Sequence, residues 1–341
     1  MFKELGHRLP MRRVTGFLFA TVFYLIASAL SAPAQSPPGL EELVSSVVRI
    51  KTAINPDGRT VEGLGRSRDG SGILIDDSGL IVTIGYLMVE AYSTEVITND
   101  GRKVPANVVG YDHETGFGLL RATEPLKLKP MPLGKSADLK ERDPVLAASY
   151  GGLRGIAPAY VVARREFAGN WEYLVDGAIF TAPAHSDWSG AALISRDGKL
   201  VGVGSLIVGD ASGKGDNVAG NMYVPTDLLL PILGDLIANG RPGGPGHPWL
   251  GVTTNEVFGR LFVSRVTTGG PAEKAGISRG DIIVGIGGEK PVGMADFYRK
   301  LWGSGNAGAT VPLDVLQGTE TRRIEVKSIN RLDHLRLKTT F

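Results

Sequence analysis

Few side chains in this chain have the reach and reactivity for covalent chemistry. Ser189 lies in Ser186-Asp187-Trp188-Ser189-Gly190-Ala191-Ala192-Leu193, a loop of mostly small residues that runs into an apolar stretch. A serine hydroxyl attacks a carbonyl only with a base in hydrogen-bond reach and a third group that orients the base. The histidines nearest in sequence to the residues of interest are His185, four residues before Ser189, and His113. A serine before glycine is also common in plain tight turns, so Ser189 by itself assigns nothing. The chain has no cysteine, which excludes thiolate nucleophiles, thiolate metal sites and disulfides. Its five histidines are scattered, and Gly285-x-Gly287-Gly288 sits in a hairpin setting rather than at a strand-to-helix turn. No metal, nucleotide or other cofactor is expected.

The elements that must position Ser189 read as strands. The 341 residues include 47 glycines, and 43% are hydrophobic, which suits a globular chain with many tight turns. Up to about Leu230, short apolar runs alternate with turn signals such as Asp77-Ser78-Gly79, Asn99-Asp100-Gly101 and Asp197-Gly198. That spacing predicts an all-β barrel or pair of barrels. A short helix is predicted just ahead of the first strand, from Leu40, Leu43, Val44 and Val47. Another is predicted from Asp227 to about Ile237, where Leu228, Leu229, Ile232, Leu233 and Leu236 form one face. Residues 239–247 are rich in Gly and Pro and read as a linker, and 248–331 read as a second, smaller domain with one helix from about Met294 to Leu301.

Residues 1–34 read as a signal peptide: Lys3, Arg8, Arg12 and Arg13 precede an apolar run, and Ala32-Pro33-Ala34 offers a cleavage site. The expected location is therefore the periplasm. The alternative is an uncleaved anchor in the inner membrane, since the run approaches the length that spans a bilayer. Without this segment the chain has 33 Lys+Arg against 34 Asp+Glu, a formal net charge of −1. No nucleic-acid partner is expected from that balance.

In order, Gly70-Ser71-Gly72-Ile73-Leu74-Ile75-Asp76, Leu80-Ile81-Val82-Thr83, Val108-Val109-Gly110-Tyr111-Asp112, the Ser189 loop and Leu200-Val201-Gly202-Val203 resemble the trypsin-like serine proteases of the HtrA family. The resemblance covers nearly all of the chain after residue 34. It implies a trypsin-like double β-barrel over residues 35–238, with a cleft between the barrels, followed by a PDZ domain, a small α+β, partly open barrel. It also implies trimers or higher homo-oligomers. Measured against the family pattern, the base position is Tyr86, in Thr83-Ile84-Gly85-Tyr86, and the aspartate position is Gly116, in Thr115-Gly116-Phe117-Gly118. A phenol with an ordinary pKa near 10 is a poor base at neutral pH, and glycine orients nothing. Asp187 stands where the family's glycine supplies an oxyanion-hole N–H; loss of one such donor costs about 10²–10³ in rate. His185 and His113 read as structural histidines. Tyr86 and Trp188 are large enough to fill the cleft.

In the second domain Pro248-Trp249-Leu250-Gly251-Val252 resembles the carboxylate-binding loop of a PDZ domain, and Gly269 to Ile283 its most recognisable stretch. Such a loop offers backbone N–H groups to a terminal carboxylate, and the next strand edge pairs with the peptide. Trp249, Leu250, Gly251 and Val252 are the candidate binding residues, with Tyr298 and Leu301 on the helix wall. The alternative is a PDZ domain used only within the chain or between subunits. The tail, 332–341, ends in Thr339-Thr340-Phe341, which has the form of a PDZ ligand.

The expected function is a proteolytically inactive HtrA-like protein that binds peptides or unfolded proteins, including C-terminal carboxylates, as a chaperone, an adaptor or a regulator of a partner protease. The alternatives are a weak or unconventional serine hydrolase using Ser189, and a purely structural assembly component.

Overall fold

The computed structural model describes residues 39–337. The leader expected over 1–34 and the last residues of the tail lie outside them. Among the described residues no helix is long and apolar enough to cross a membrane.

Helix α1 (Leu40–Ser45) feeds β1 (Val47–Ile54), as its apolar spacing predicts. Strands β2 (Ser67–Leu74), β3 (Leu80–Ile84), β4 (Ala91–Ile97), β5 (Lys103–Tyr111) and β6 (Phe117–Ala122) close a barrel with β1 in the order β1-β2-β3-β6-β5-β4. A one-turn helix, α2 (Val61–Leu64), interrupts the β1–β2 connection. Six further strands close a second barrel in the order β10-β11-β12-β9-β8-β7. They are β7 (Pro144–Ala148), β8 (Ile156–Gly169), β9 (Tyr173–Ala182), β10 (Ala192–Ile194), β11 (Leu200–Val208) and β12 (Gly220–Pro225). Closure leaves neither barrel with an unpaired edge. One apolar cluster joins the barrels, with Ile84, Leu87 and Phe117 of the first against Ala148, Phe180 and Val203 of the second. The site at the seam is thus held by a shared core.

The helix predicted over 227–237 is a correction: a 3₁₀ turn (Thr226–Leu228) and then α3 (Leu233–Asn239) take its place. Pro231 lies between them. It lacks the N–H an uninterrupted helix requires, and its ring clashes with the preceding turn.

The second domain is a five-stranded sheet in sequence order: β13 (Val252–Val257), β14 (Arg260–Val266), β15 (Ile282–Ile286), β16 (Thr310–Gln317) and β17 (Glu320–Lys327). Helix α4 (Pro271–Lys274) is short, and α5 (Met294–Gly303) buries Met294, Phe297, Tyr298 and Leu301 on one face. A last turn of helix, α6 (Arg331–His334), follows. The apolar core of this domain admits two foreign residues, Ala168 and Leu174, from the β8–β9 hairpin of the second barrel. Strand β13 lies at the edge of the sheet, next to that hairpin.

Candidate functional site

Two sites are brought together by this architecture: the serine loop at the barrel seam, and the PDZ groove between β13 and α5.

At the seam, β3 ends in a 3₁₀ turn (Gly85–Leu87) that presents Tyr86. The turn is braced by Arg68, whose buried guanidinium donates to the carbonyl oxygens of Tyr86 at 2.6 Å and Val89 at 3.2 Å. The Tyr86 hydroxyl lies 2.9 Å from Ser189 Oγ and 3.0 Å from the carbonyl oxygen of Ser205. That carbonyl can only accept, so the phenolic proton has a resting place and Ser189 a partner at the phenol oxygen. Burial pushes the Tyr86 phenol up to about 12, against hydrogen bonds that pull the other way. At pH 7 about one phenol in 10⁵ would be ionised. Tyr86 therefore holds the serine in place and has almost no capacity to take its proton.

Ser189 is fixed by its backbone. Its carbonyl oxygen accepts from the N–H of Ser71 at 2.8 Å, while the N–H groups of Gly190 and Ala191 donate to Gly204 and Trp188. Gly190 is required here: its φ is +71°, and a Cβ would come within 2.0 Å of the Ser71 oxygen. Asp187 is exposed and adopts no left-handed backbone angle of the kind found at Gly190.

Gly116 is not simply a missing carboxylate. Its φ is +86°, and a Cβ would lie 2.9 Å from the hydroxyl oxygen of Tyr173. Tyr173 is buried, and its hydroxyl donates to the carbonyl oxygen of Thr115 at 2.7 Å. The space that a side chain at Gly116 would enter is taken by a tyrosine.

Neither nearby histidine repairs the arrangement. His185 is tied through its backbone to the side chain of Asn221, at 2.6 and 3.0 Å. Its Nε2 is buried without a hydrogen-bond partner among the described residues, and burial lowers its pKa. Burial, aided by Arg331, takes His113 down to about 3, and it too has no bond to Ser189. Among the described residues no group of His, Asp and Glu is arranged to hold a metal ion.

In the PDZ groove every residue named from the sequence is buried: Trp249, Leu250, Gly251 and Val252 in the loop, Tyr298 and Leu301 on α5. Leu250, Val252, Tyr298 and Leu301 belong to the domain's own apolar core and Trp249 packs on His334, while the β8–β9 hairpin occupies the polar groups of the loop. Glu172, at its turn, directs its carboxylate into the loop and accepts the N–H of Leu250 at 2.8 Å, of Gly251 at 2.7 Å and of Val252 at 2.9 Å. The carbonyl oxygen of Asn170 accepts the N–H of Thr254 on β13 at 2.9 Å. Tyr298 donates its hydroxyl to the Gly169 carbonyl at 2.7 Å and accepts the N–H of Glu172 at 3.2 Å. Arg331 reaches the carbonyl oxygen of Trp171 at 3.3 Å, and Arg299 pairs with Glu166 on β8. Burial raises the Glu172 carboxyl to about 7, although the three N–H groups and Arg331 pull it down.

Tyr86, Gly116, Asp187 and the loop residues stood out in the sequence because each occupies a recognisable motif. Glu172 did not. It lies in Asn170-Trp171-Glu172-Tyr173, a turn with no motif, and its partners are nearly eighty residues away. Only the three-dimensional contact identifies it.

Residues 70–203 match the trypsin-like peptidase domain family, and residues 248–328 match the PDZ domain family. The chain is similar to serine protease PepD of Mycobacterium tuberculosis, 31% identical over 308 residues that cover 84% of this chain and 65% of PepD. It is also similar to the periplasmic pH-dependent serine endoprotease DegQ of Escherichia coli, 26% identical over 72% of this chain and 56% of DegQ. A DegP-like probable periplasmic serine endoprotease of Bartonella henselae is 29% identical over 72% of this chain and 50% of its own length. The chain thus spans between half and about two thirds of these relatives. Among solved structures, the HtrA-type protease AlgW with a decapeptide aligns over 88% of this chain and 99% of its own, with a TM-score of 0.51 and 21% identity. A variant of that protease with a tripeptide gives a TM-score of 0.53 at the same identity and covers 98% of its own chain. These two likenesses establish the fold.

Proposed function

We propose that this chain, HtrA-like in its trypsin-like barrels and C-terminal PDZ domain, binds peptides or unfolded proteins without cleaving them. The observation that carries this reading is the partner of Ser189: a phenol held near pKa 12, where hydrolysis needs a base that is free to accept a proton at neutral pH. Asp187 in place of the oxyanion-hole glycine, and Tyr173 in the space of the orienting aspartate, support it independently. The binding part of the proposal rests on the PDZ domain, whose loop presents three convergent N–H groups that already hold a carboxylate. The protein would act as a chaperone, an adaptor or a regulator of an active partner protease. With periplasmic proteases among its relatives and a signal-like leader, we place it in the periplasm.

The test is hydrolysis of an unfolded protein by the purified chain and by Ser189→Ala, alongside labelling with a serine-directed probe. The expected result is no turnover and no labelling in either protein. Turnover or labelling that disappears in Ser189→Ala would establish the alternative, a serine hydrolase with a rebuilt site.

A further inference from the structure

A peptide captured by a PDZ domain makes two kinds of backbone contact. Its terminal carboxylate enters the loop, and the residues before it add as a strand to the sheet edge. Both contacts are already made within this chain. Glu172 supplies the carboxylate, accepting from Leu250, Gly251 and Val252. Two residues earlier, the Asn170 carbonyl accepts from Thr254, on the free edge of β13. From Asn170 to Glu172 the segment runs from Thr254 toward Leu250, antiparallel to β13, the direction in which a C-terminal peptide would approach the loop. Ala168 and Leu174 then supply the apolar contacts with the PDZ core.

The side chain is held there at a cost. Glu172 has a φ of +56°, as the last residue of the three-residue loop that joins β8 to β9, so this angle belongs to the hairpin itself. The cost is that its carboxylate is removed from water, with no side-chain cation bonded to it among the described residues. An undocked Glu172 would lose the three N–H bonds and regain the hydration of its carboxylate. The contact is therefore one that a competing ligand carrying the same group can replace.

We infer that Glu172 is a built-in ligand of the PDZ domain, and that peptides with a free C-terminal carboxylate bind this protein by displacing the Glu172 side chain from the loop, with the neighbouring Tyr173 staying packed in the barrel core. The inference rests on the peptide-binding reading above and adds the mechanism by which the groove is kept closed. Peptide affinity is lowered by the fraction of time Glu172 is docked, because the binding-competent groove is only as common as the undocked state.

The test compares the full chain with Glu172→Ala and Glu172→Gln. Amide hydrogen exchange at Leu250, Gly251 and Val252 reads the latch without any ligand. Retention of an equimolar pool of peptides randomised at their last four positions, with free-acid or amidated ends, reads the groove. The expected result is slow exchange at the three amides in the wild type, at least tenfold faster exchange in Glu172→Ala, and an intermediate rate in Glu172→Gln. Glu172→Ala should also retain at least tenfold more of the free-acid pool than the wild type does, with no gain for the amidated pool. Equal exchange and equal retention by all three proteins would overturn the latch and leave peptide binding standing. Faster exchange in Glu172→Ala with no retained free-acid peptide would overturn displacement, and the peptide-binding reading with it.

Discussion

The serine site and the PDZ groove are both filled from within the chain, by opposite kinds of group. At the seam the occupants are Tyr86 and Tyr173, neutral phenols pushed further from ionisation by burial and attached to strands of two closed barrels. In the groove the occupant is a carboxylate on a hairpin turn, with a pKa lifted to about 7. The phenols sit in a core shared by both barrels, so moving them means unpacking that core. The carboxylate is held by three N–H groups, and its side chain can rotate out of the loop while the neighbouring Tyr173 stays packed. One filling is architectural, the other exchangeable.

The largest expected effect would break this contrast at the seam. Restoring the family's residues with Tyr86→His and Gly116→Asp should not restore proteolysis. Gly116→Asp alone should cost about 2–4 kcal/mol, since it places a side chain at positive φ against the Tyr173 hydroxyl. Chemical denaturation of the single variants, with an unfolded-protein assay on the double variant, checks both statements. An active, stable double variant would show that the filling is as exchangeable as the groove's.

The next effect sharpens the contrast by charge. The Glu172 carboxyl rises from an ordinary 4.5 to about 7 on docking, so docking takes up a proton between those values. Its contribution to stability is complete below about pH 4.5 and is lost as pH climbs through 7. The difference between the two ends is at most roughly 3 kcal/mol. Glu172→Gln cannot titrate. Urea unfolding of the two proteins from pH 5 to 8 should therefore show the wild type losing stability relative to the variant. A difference that stays flat with pH would mean that the docked carboxyl titrates like a free one.

The smallest concerns the helix wall. Tyr298→Phe keeps the ring but removes the hydroxyl that bonds both Gly169 and Glu172, and should loosen the docked turn by about 1 kcal/mol. Exchange at the amides of 250–252 should rise by roughly fivefold, with little change in the barrel amides. A uniform rise across the whole chain would instead assign Tyr298 to global stability.

Much of the architecture was legible in the sequence because it is encoded locally. Glycine-bearing turns at short intervals and the alternation in Val47–Ile54 specify strands, and the order of the trypsin-like and PDZ motifs identifies the barrels and the sheet that follows. Tyr86 and Gly116 stood out for the same reason, since each interrupts a run that defines its neighbours. Their replacements were harder to read. That Tyr173 stands against Gly116, and Glu172 in the Leu250–Val252 loop, follows from pairings across long stretches of chain that no local pattern announces. The predicted helix over 227–237 failed on a smaller scale, because its apolar spacing outweighed the single Pro231 in the reading and not in the fold.

Glu172 and Tyr173 are consecutive residues whose side chains serve different sites, one in the PDZ loop and the other against Thr115 beside Gly116. Their α-carbons are about 3.8 Å apart. From Gly116 the backbone is bonded to Gly85, the neighbour of the tyrosine that touches Ser189. A continuous line of contacts thus runs between a PDZ loop that holds a carboxylate of its own chain and a serine whose partner is a phenol. A spectroscopic probe placed at the seam would read out occupancy of the groove.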